Sequence, residues 1–386
     1  MEIRQIQYKK EFELGKLNVF NHINPNILFV FGATRFFSLD NIGAELKNKF
    51  PGAVIIGCST AGEIFDNAVY EDTLVITAVH IENVAVELIS AKVGVAGKSR
   101  DAGIEIGNKI KQMQADAVFV LAPGSEINGS ELVAGLDSCI GENVSLTGGL
   151  AGDGMNFSTT YTLGNEQITT DTVFALALKS QKVNFSYASK CGWLAFGSDR
   201  RATKSVANIL YQIDNRPALE LYKEYLGEKA KDLPASGLLY PIAVLNEDNL
   251  KEVEVIRTIL NVDEEENSLI LAGDVAEGSL IQLMHVKTKN LIEGAGLAAD
   301  EIYNSLNHQV ADDSLAILVS CVGRRIVMAD DVDDEVAAVN LGFKGKAILA
   351  GFYSYGEICP FDSHNKKPLL HNQTMTITLI SGDHAE

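Results

Sequence analysis

The sequence predicts an α/β fold with mixed β-sheets, built from repeated β-α-β-β units in two closely packed halves. Three observations carry that expectation. Short uninterrupted apolar runs stand at residues 27–32 (Ile-Leu-Phe-Val-Phe-Gly), 117–122 (Ala-Val-Phe-Val-Leu-Ala) and 315–321 (Leu-Ala-Ile-Leu-Val-Ser-Cys), the pattern of strands buried on both faces. Each run is followed by a polar loop and an amphipathic stretch, at about 39–49, 128–140 and 332–342. A second strand then enters a glycine turn that carries a carboxylate, and this happens three times.

Residues 1–26 form a lead-in to the first unit. Ser38 or Asp40 can cap the first unit's helix and Ser125 or Asn128 the second's, since their side chains accept from free N–H groups of a first turn. In the third unit Asp330, Asp331, Asp333, Asp334 and Glu335 crowd the helix start, where carboxylates meet the positive end of the dipole. The three turns read Gly57-Cys-Ser-Thr-Ala-Gly62-Glu63, Thr147-Gly-Gly-Leu-Ala-Gly152-Asp153 and Gly351-Phe-Tyr-Ser-Tyr-Gly356-Glu357. A further β-rich run closes each unit, at 72–81, 171–178 and 373–380. Between the second and third units the spacing predicts helices at 205–213 and 217–227, with Pro217 in the first turn and Gly227 as the stop. Turns follow at 246–248 and 263–267, and a long helix at about 289–306. The punctuation Asp214-Asn-Arg-Pro217 places the main boundary near 215, giving domains at 27–214 and 215–380 with no exposed linker.

Composition narrows the function classes. Asp+Glu 51 against Lys+Arg 32 gives a net charge of −19, which repels phosphate backbones and argues against nucleic acid as a partner. With 46% apolar and 22% charged residues the chain has the usage of a globular protein. No apolar run approaches the roughly 18 residues that span a bilayer, so no membrane role is expected. The Met-Glu-Ile-Arg-Gln start shows no secretory pattern. Five cysteines without a C-x-x-C pair suit a reducing cytoplasm.

The turns also carry a family resemblance. Ile56-Gly-Cys-Ser-Thr-Ala-Gly-Glu-Ile64 resembles the signature of the FIST N-terminal domain, and Gly148-Gly-Leu-Ala-Gly-Asp153 its second glycine element. Ala218-Leu-Glu-Leu-Tyr222, Cys321-Val-Gly-Arg-Arg325, residues 351–358 and Leu370-His-Asn-Gln-Thr-Met375 are similar to the FIST C-terminal domain. The match runs from about residue 27 to residue 380 in the family's order. It implies a bacterial, cytoplasmic sensory module in signal transduction rather than an enzyme, binding a small molecule such as an amino acid. It also implies a separate histidine kinase, as in a two-component system, or a cyclic-di-nucleotide enzyme, as the reader of its state. Some members of the family are described as haem-binding nitric-oxide sensors, which makes haem an alternative cofactor.

The residues themselves point to the glycine turns as a ligand site. Glycines let backbone N–H groups approach an anion, and a neighbouring carboxylate accepts an ammonium group. The candidate ligand-binding residues are Gly57, Cys58, Ser59, Thr60, Gly62, Glu63, Gly149, Gly152, Asp153, Tyr355, Gly356 and Glu357, with Cys321 and Arg324 on the turn after the third unit's first strand. Arg324 or Arg325 is placed to clamp a carboxylate with two parallel hydrogen bonds. No catalytic or metal-ligating set is expected. Gly57–Gly62 has phosphate-loop spacing, but Glu63 stands where lysine is needed, and residues 92–99 lack the first glycine of such a loop. Ser99 there reads as a helix cap. Gly57-Cys-Ser59-Thr-Ala61 approximates a nucleophile elbow with alanine for its last glycine, so a hydrolase using Ser59 or Cys321 is the enzymatic alternative. The seven histidines form no close-spaced metal pair, and none stands out as an axial haem ligand. The acidic cluster at 330–335 lacks the order of a calcium loop and reads as helix-start electrostatics.

Overall fold

Each apolar run becomes a central strand of a sheet, and the three sheets share one plan. The computed structural model describes residues 1–38, 41–141, 143–246, 253–360 and 366–382. Asp40, Glu247 and Asp248 of the expected cap and turn, and His364 and His384, lie outside the described residues. In the first sheet the strand order is Glu2–Tyr8, Leu74–His80, Ile27–Gly32, Val54–Ser59, then a hairpin of Thr162–Gly164 and Gln167–Thr169. The second runs Ala85–Lys92, Thr172–Lys179, Ala117–Ala122, Ser145–Leu150, then Gly356–Pro360 and Pro368–His371. The third runs Val183–Lys190, Met375–Gly382, Ser314–Cys321, Ala347–Ser354, then Glu63–Phe65 and Ala68–Tyr70.

In every sheet the first and second strands of a unit are parallel and all other pairs antiparallel. The expected strand–helix–strand–turn–strand unit is therefore present three times, preceded by an edge strand that the sequence pattern does not reveal. The hairpin after each glycine turn leaves its own sheet. The first unit's hairpin joins the third sheet, the second's joins the first, and the third's joins the second. The register is the same at all three joins, pairing Ile64 with Gly351, Leu163 with Gly57 and Ile358 with Gly148. Those glycines face the parallel neighbour closely: a Cβ on Gly148 or Gly351 would lie 1.9 Å from the carbonyl of Val120 or Leu318. Only glycine fits there.

The runs are apolar on both faces because both are covered. Their inner faces meet in one core drawn from all three sheets, with Phe31 against Phe352 at 4.7 Å and Phe29 edge-on to Phe119 at 5.9 Å. Their outer faces are covered by helices: Ile42–Lys49 on the first sheet, Ser99–Met113 and Gly129–Asp137 on the second, Thr288–Ser305 and Val332–Gly342 on the third. Asn128 caps the helix Gly129–Asp137 by accepting from the Glu131 N–H at 3.0 Å. Ser99 opens its helix rather than capping it, and its hydroxyl donates back to the Ala96 carbonyl.

The expected helix at 205–213 is overturned. Leu194–Val206 and Ile209–Ile213 are antiparallel strands turning at Ala207, which has a φ of 51°. They belong to a separate eight-stranded sheet, inserted between the third unit's edge strand and its helix Thr288–Ser305. The helix Ala218–Leu226 packs on that sheet and stops at Gly227, φ 55°. The punctuation at 214–215 is a turn inside the inserted sheet, between the paired strands Ile209–Ile213 and Arg216–Pro217. Among the described residues no helix is long and apolar enough to cross a membrane.

Candidate functional site

The three glycine turns meet one another. The Ala61 N–H donates to the Tyr353 carbonyl and the Tyr353 N–H to the Gly62 carbonyl, both at 2.8 Å. The Gly152 N–H donates to the Ser59 carbonyl at 2.8 Å and the Tyr355 N–H to the Leu150 carbonyl at 3.4 Å. The spacing is close, since Gly152 abuts Ala61 and Gly149 abuts the Gly356 carbonyl. Ser59 is consumed in this junction: its hydroxyl donates to the Gly152 carbonyl at 2.7 Å and accepts from the Tyr161 N–H at 2.8 Å. A serine held this way has no proton to give a catalytic base.

Two of the three acids occupy equivalent positions. Glu63 accepts from the Thr60 hydroxyl and from the Thr73 N–H and hydroxyl, at 2.5, 3.0 and 2.7 Å. Glu357 accepts from the Ser354 hydroxyl and from the Thr374 N–H and hydroxyl, at 2.7, 3.2 and 2.9 Å. Both are fully buried. Burial pushes the Glu63 carboxyl up to about 7 and Glu357 up to about 8, against the hydrogen bonds that pull each down. Asp153 does not belong to this set. Strand register puts Thr162 at the place of Glu63 and Glu357, because Thr162, Glu63 and Glu357 pair with Cys58, Phe352 and Gly149. Asp153 instead ties a longer loop, accepting from the N–H groups of Phe157, Ser158 and Thr159 at 2.8–2.9 Å and from the Tyr355 hydroxyl. The Tyr355 ring stacks on Phe157 at 4.7 Å.

Of the two arginines, Arg325 faces the turns and Arg324 does not. Arg324 is buried in an ion pair with Glu335, its Nε donating at 2.8 Å, and its remaining donors go to the Cys191, Leu291 and Gln373 carbonyls. Glu335 also accepts from Ser320 and Tyr353 hydroxyls, at 2.9 and 2.6 Å. It is therefore a core residue, not part of a solvated helix start. Arg325 donates to the Ala61 carbonyl, pairs with exposed Glu71 and lies against Gly62. Cys58 and Cys321 are buried, and burial pushes both thiols far above the range in which a thiolate forms. Neither they nor Ser59 is poised as a nucleophile.

Two features have no counterpart in the sequence reading. The first is a seam where the inserted sheet docks on the third unit. Asn372 is 1% exposed and neither end of its amide has a hydrogen-bond partner. The Gln373 Oε1, Ser236 hydroxyl and Thr258 hydroxyl are buried and equally unpartnered. These groups stand on segments that touch: Gln373 Nε2 donates to the Leu238 carbonyl at 3.3 Å, and Gly237 abuts Ile259. Beside them, buried Arg257 donates to the Leu370 and Asp274 carbonyls, both at 2.9 Å, and burial lowers it to about 10. The second feature is a cavity of about 440 Å³ walled by Phe196, Tyr225, Tyr240, Leu283 and His285. Only the motif Leu370-His-Asn-Gln-Thr-Met375 touches the seam, and nothing in its spacing says that Asn372 is buried without a partner.

The FIST N domain family model matches residues 26–216, and that of the FIST C domain matches residues 218–360. An uncharacterized protein of Methanocaldococcus jannaschii is 22% identical over 367 residues, covering 86% of this chain and 69% of its own length. Among solved structures, a cyanuric acid hydrolase from A. caulinodans aligns with a TM-score of 0.40 and 6% identity over 100% of this chain and 99% of its own. A likeness that weak bears on neither fold nor activity.

Proposed function

Because this chain belongs to the FIST family, whose domains are sensory modules of signalling proteins, we propose that it senses an amino-acid-like ligand held at the seam between the inserted sheet and the third unit. The unpartnered amide of Asn372 carries this reading. A buried polar group without a partner costs about 1–3 kcal/mol, and several on touching segments call for a water, an ion or a polar guest to satisfy them. The set is complementary to a zwitterion. Asn372 Nδ2 and the Ser236 and Thr258 hydroxyls offer donors to a carboxylate, next to the Arg257 charge. Asn372 Oδ1 and Gln373 Oε1 offer acceptors to an ammonium group.

The glycine turns then transmit rather than bind. Gln373 is followed by Thr374, whose N–H and hydroxyl hold Glu357, and Glu357 begins the hairpin exchanged into the second sheet. A guest that orders residues 372–373 would bias how units from both halves, 27–214 and 215–380, are joined. A separate cytoplasmic histidine kinase or cyclic-di-nucleotide enzyme would read that bias.

The test uses the single tryptophan. Trp193 donates its indole N–H to the Gln373 carbonyl at 3.1 Å, so its emission reports on the seam. Each of the free L-amino acids is titrated against the intact protein while emission and melting temperature are followed. One of them should shift both, by about 2.7 kcal/mol of stability at a hundredfold excess over its Kd. Asn372→Leu should abolish the shift without lowering the melting temperature of the free protein, since it removes the stranded amide. A shift that survives Asn372→Leu, or no shift with any amino acid, refutes the reading.

A further inference from the structure

The aromatic cavity lies on the inserted sheet; Leu239 and Tyr240 of its wall follow seam residues 236–238 in the chain, but neither Asn372 nor Gln373 lines it. It shares Phe196, Tyr225 and Leu283 with a smaller neighbouring pocket, which Arg200 lines. Phe196, 48% exposed, lines both. His285 meets it edge-on at 6.0 Å. Arg200 is fixed by its Nε on the Tyr225 hydroxyl and by its Nη1 on Asp214, both at 3.0 Å. Its guanidinium is thus held at the aromatic wall, with Asp214 as a partner that an incoming anion can replace.

From this arrangement we propose a second ligand site, for a planar aromatic molecule bearing one anionic group. The rings of Phe196, Tyr225 and Tyr240 supply faces and edges for stacking, and Arg200 supplies a forked donor for a carboxylate or sulfonate. A cavity of about 440 Å³ falls in the size class of small-molecule sites. The site does not depend on the seam: it needs neither Asn372 nor Gln373.

Two dyes of similar shape separate stacking from charge. 8-Anilinonaphthalene-1-sulfonate carries an anion and N-phenyl-1-naphthylamine does not, and both brighten in apolar surroundings. The intact protein should bind one equivalent of each. Phe196→Ala should weaken both. Arg200→Gln should weaken the sulfonate about tenfold and leave the neutral dye unchanged, as expected for loss of a charge-assisted contact. Asp214→Asn, which frees Arg200, should tighten the sulfonate alone and serves if Arg200→Gln fails to fold. Asn372→Leu should change neither dye, which keeps this site distinct from the seam. The proposal is overturned if Phe196→Ala leaves both dyes bound, or if Arg200→Gln or Asp214→Asn moves the two dyes together. A visible haem band in the purified protein that disappears in His285→Ala also overturns it, in favour of a tetrapyrrole.

Discussion

Replacing Arg324 by alanine should destabilise the protein by about 3–5 kcal/mol, the cost of leaving a buried partner charge uncompensated. Glu335 would keep the Ser320 and Tyr353 hydroxyls but lose the guanidinium, while the Cys191 and Leu291 carbonyls each lose a donor and the Gln373 carbonyl keeps that of Trp193. The paired change Arg324→Met with Glu335→Gln should recover most of that loss, because Ser320 and Tyr353 can still donate to the glutamine oxygen and no charge remains. Urea denaturation of the wild type and both variants measures this directly. If Arg324→Ala costs less than about 1 kcal/mol, the pair behaves like an exposed one and Arg324 is free to bind an outside anion.

That result bears on why the site was only partly legible. The sequence shows two adjacent arginines after a buried strand but not which one points inward. The choice is made by the helix Val322–Met328 and by Glu335 on a helix ten residues on, a tertiary fact. The repeat itself was readable because its strands are buried on both faces and therefore continuously apolar. The exchange of hairpins was not, since three-residue strands such as Glu63–Phe65 carry no pattern that names a distant partner.

Two errors have simple causes. Val206, Ile209, Leu210 and Ile213 are spaced i, i+3, i+4, i+7, as on a helix face, yet Ala207 takes a left-handed turn and splits them into a hairpin. Asp153 follows a glycine just as Glu63 and Glu357 do, but a longer loop precedes the second unit's hairpin, and Thr162 takes the structural place of the acid. The threonine at the start of each closing strand is the better marker: Thr73 and Thr374, just before theirs, hold Glu63 and Glu357, and Thr172, the first residue of its own, accepts the Thr162 hydroxyl on its carbonyl at 2.7 Å.

Glu63 and Glu357 should make the protein less stable as pH rises through neutrality. Both carboxyls are raised in the folded state, to about 7 and about 8, so the native protein binds more protons than the unfolded chain above the ordinary carboxylate pKa of about 4.3. The sign follows: their favourable contribution is complete below that value and is lost progressively up to about pH 8, on the order of 3–5 kcal/mol for each group. Glu63→Gln with Glu357→Gln should flatten this dependence and leave the variant more stable than the wild type at pH 8. Glutamine can be accommodated, since its oxygen accepts from the threonine N–H and hydroxyl while its amide faces Thr60 or Ser354. Melting temperatures from pH 5 to pH 8 decide the matter, and a wild type that gains stability over that interval while the double variant does not would show that the two acids are ionised in the fold. The same titration separates transmission from binding. If the turns only join the units, the double variant keeps the amino-acid response of Trp193 at every pH; if Glu357 holds the ligand's ammonium group, that response vanishes with it.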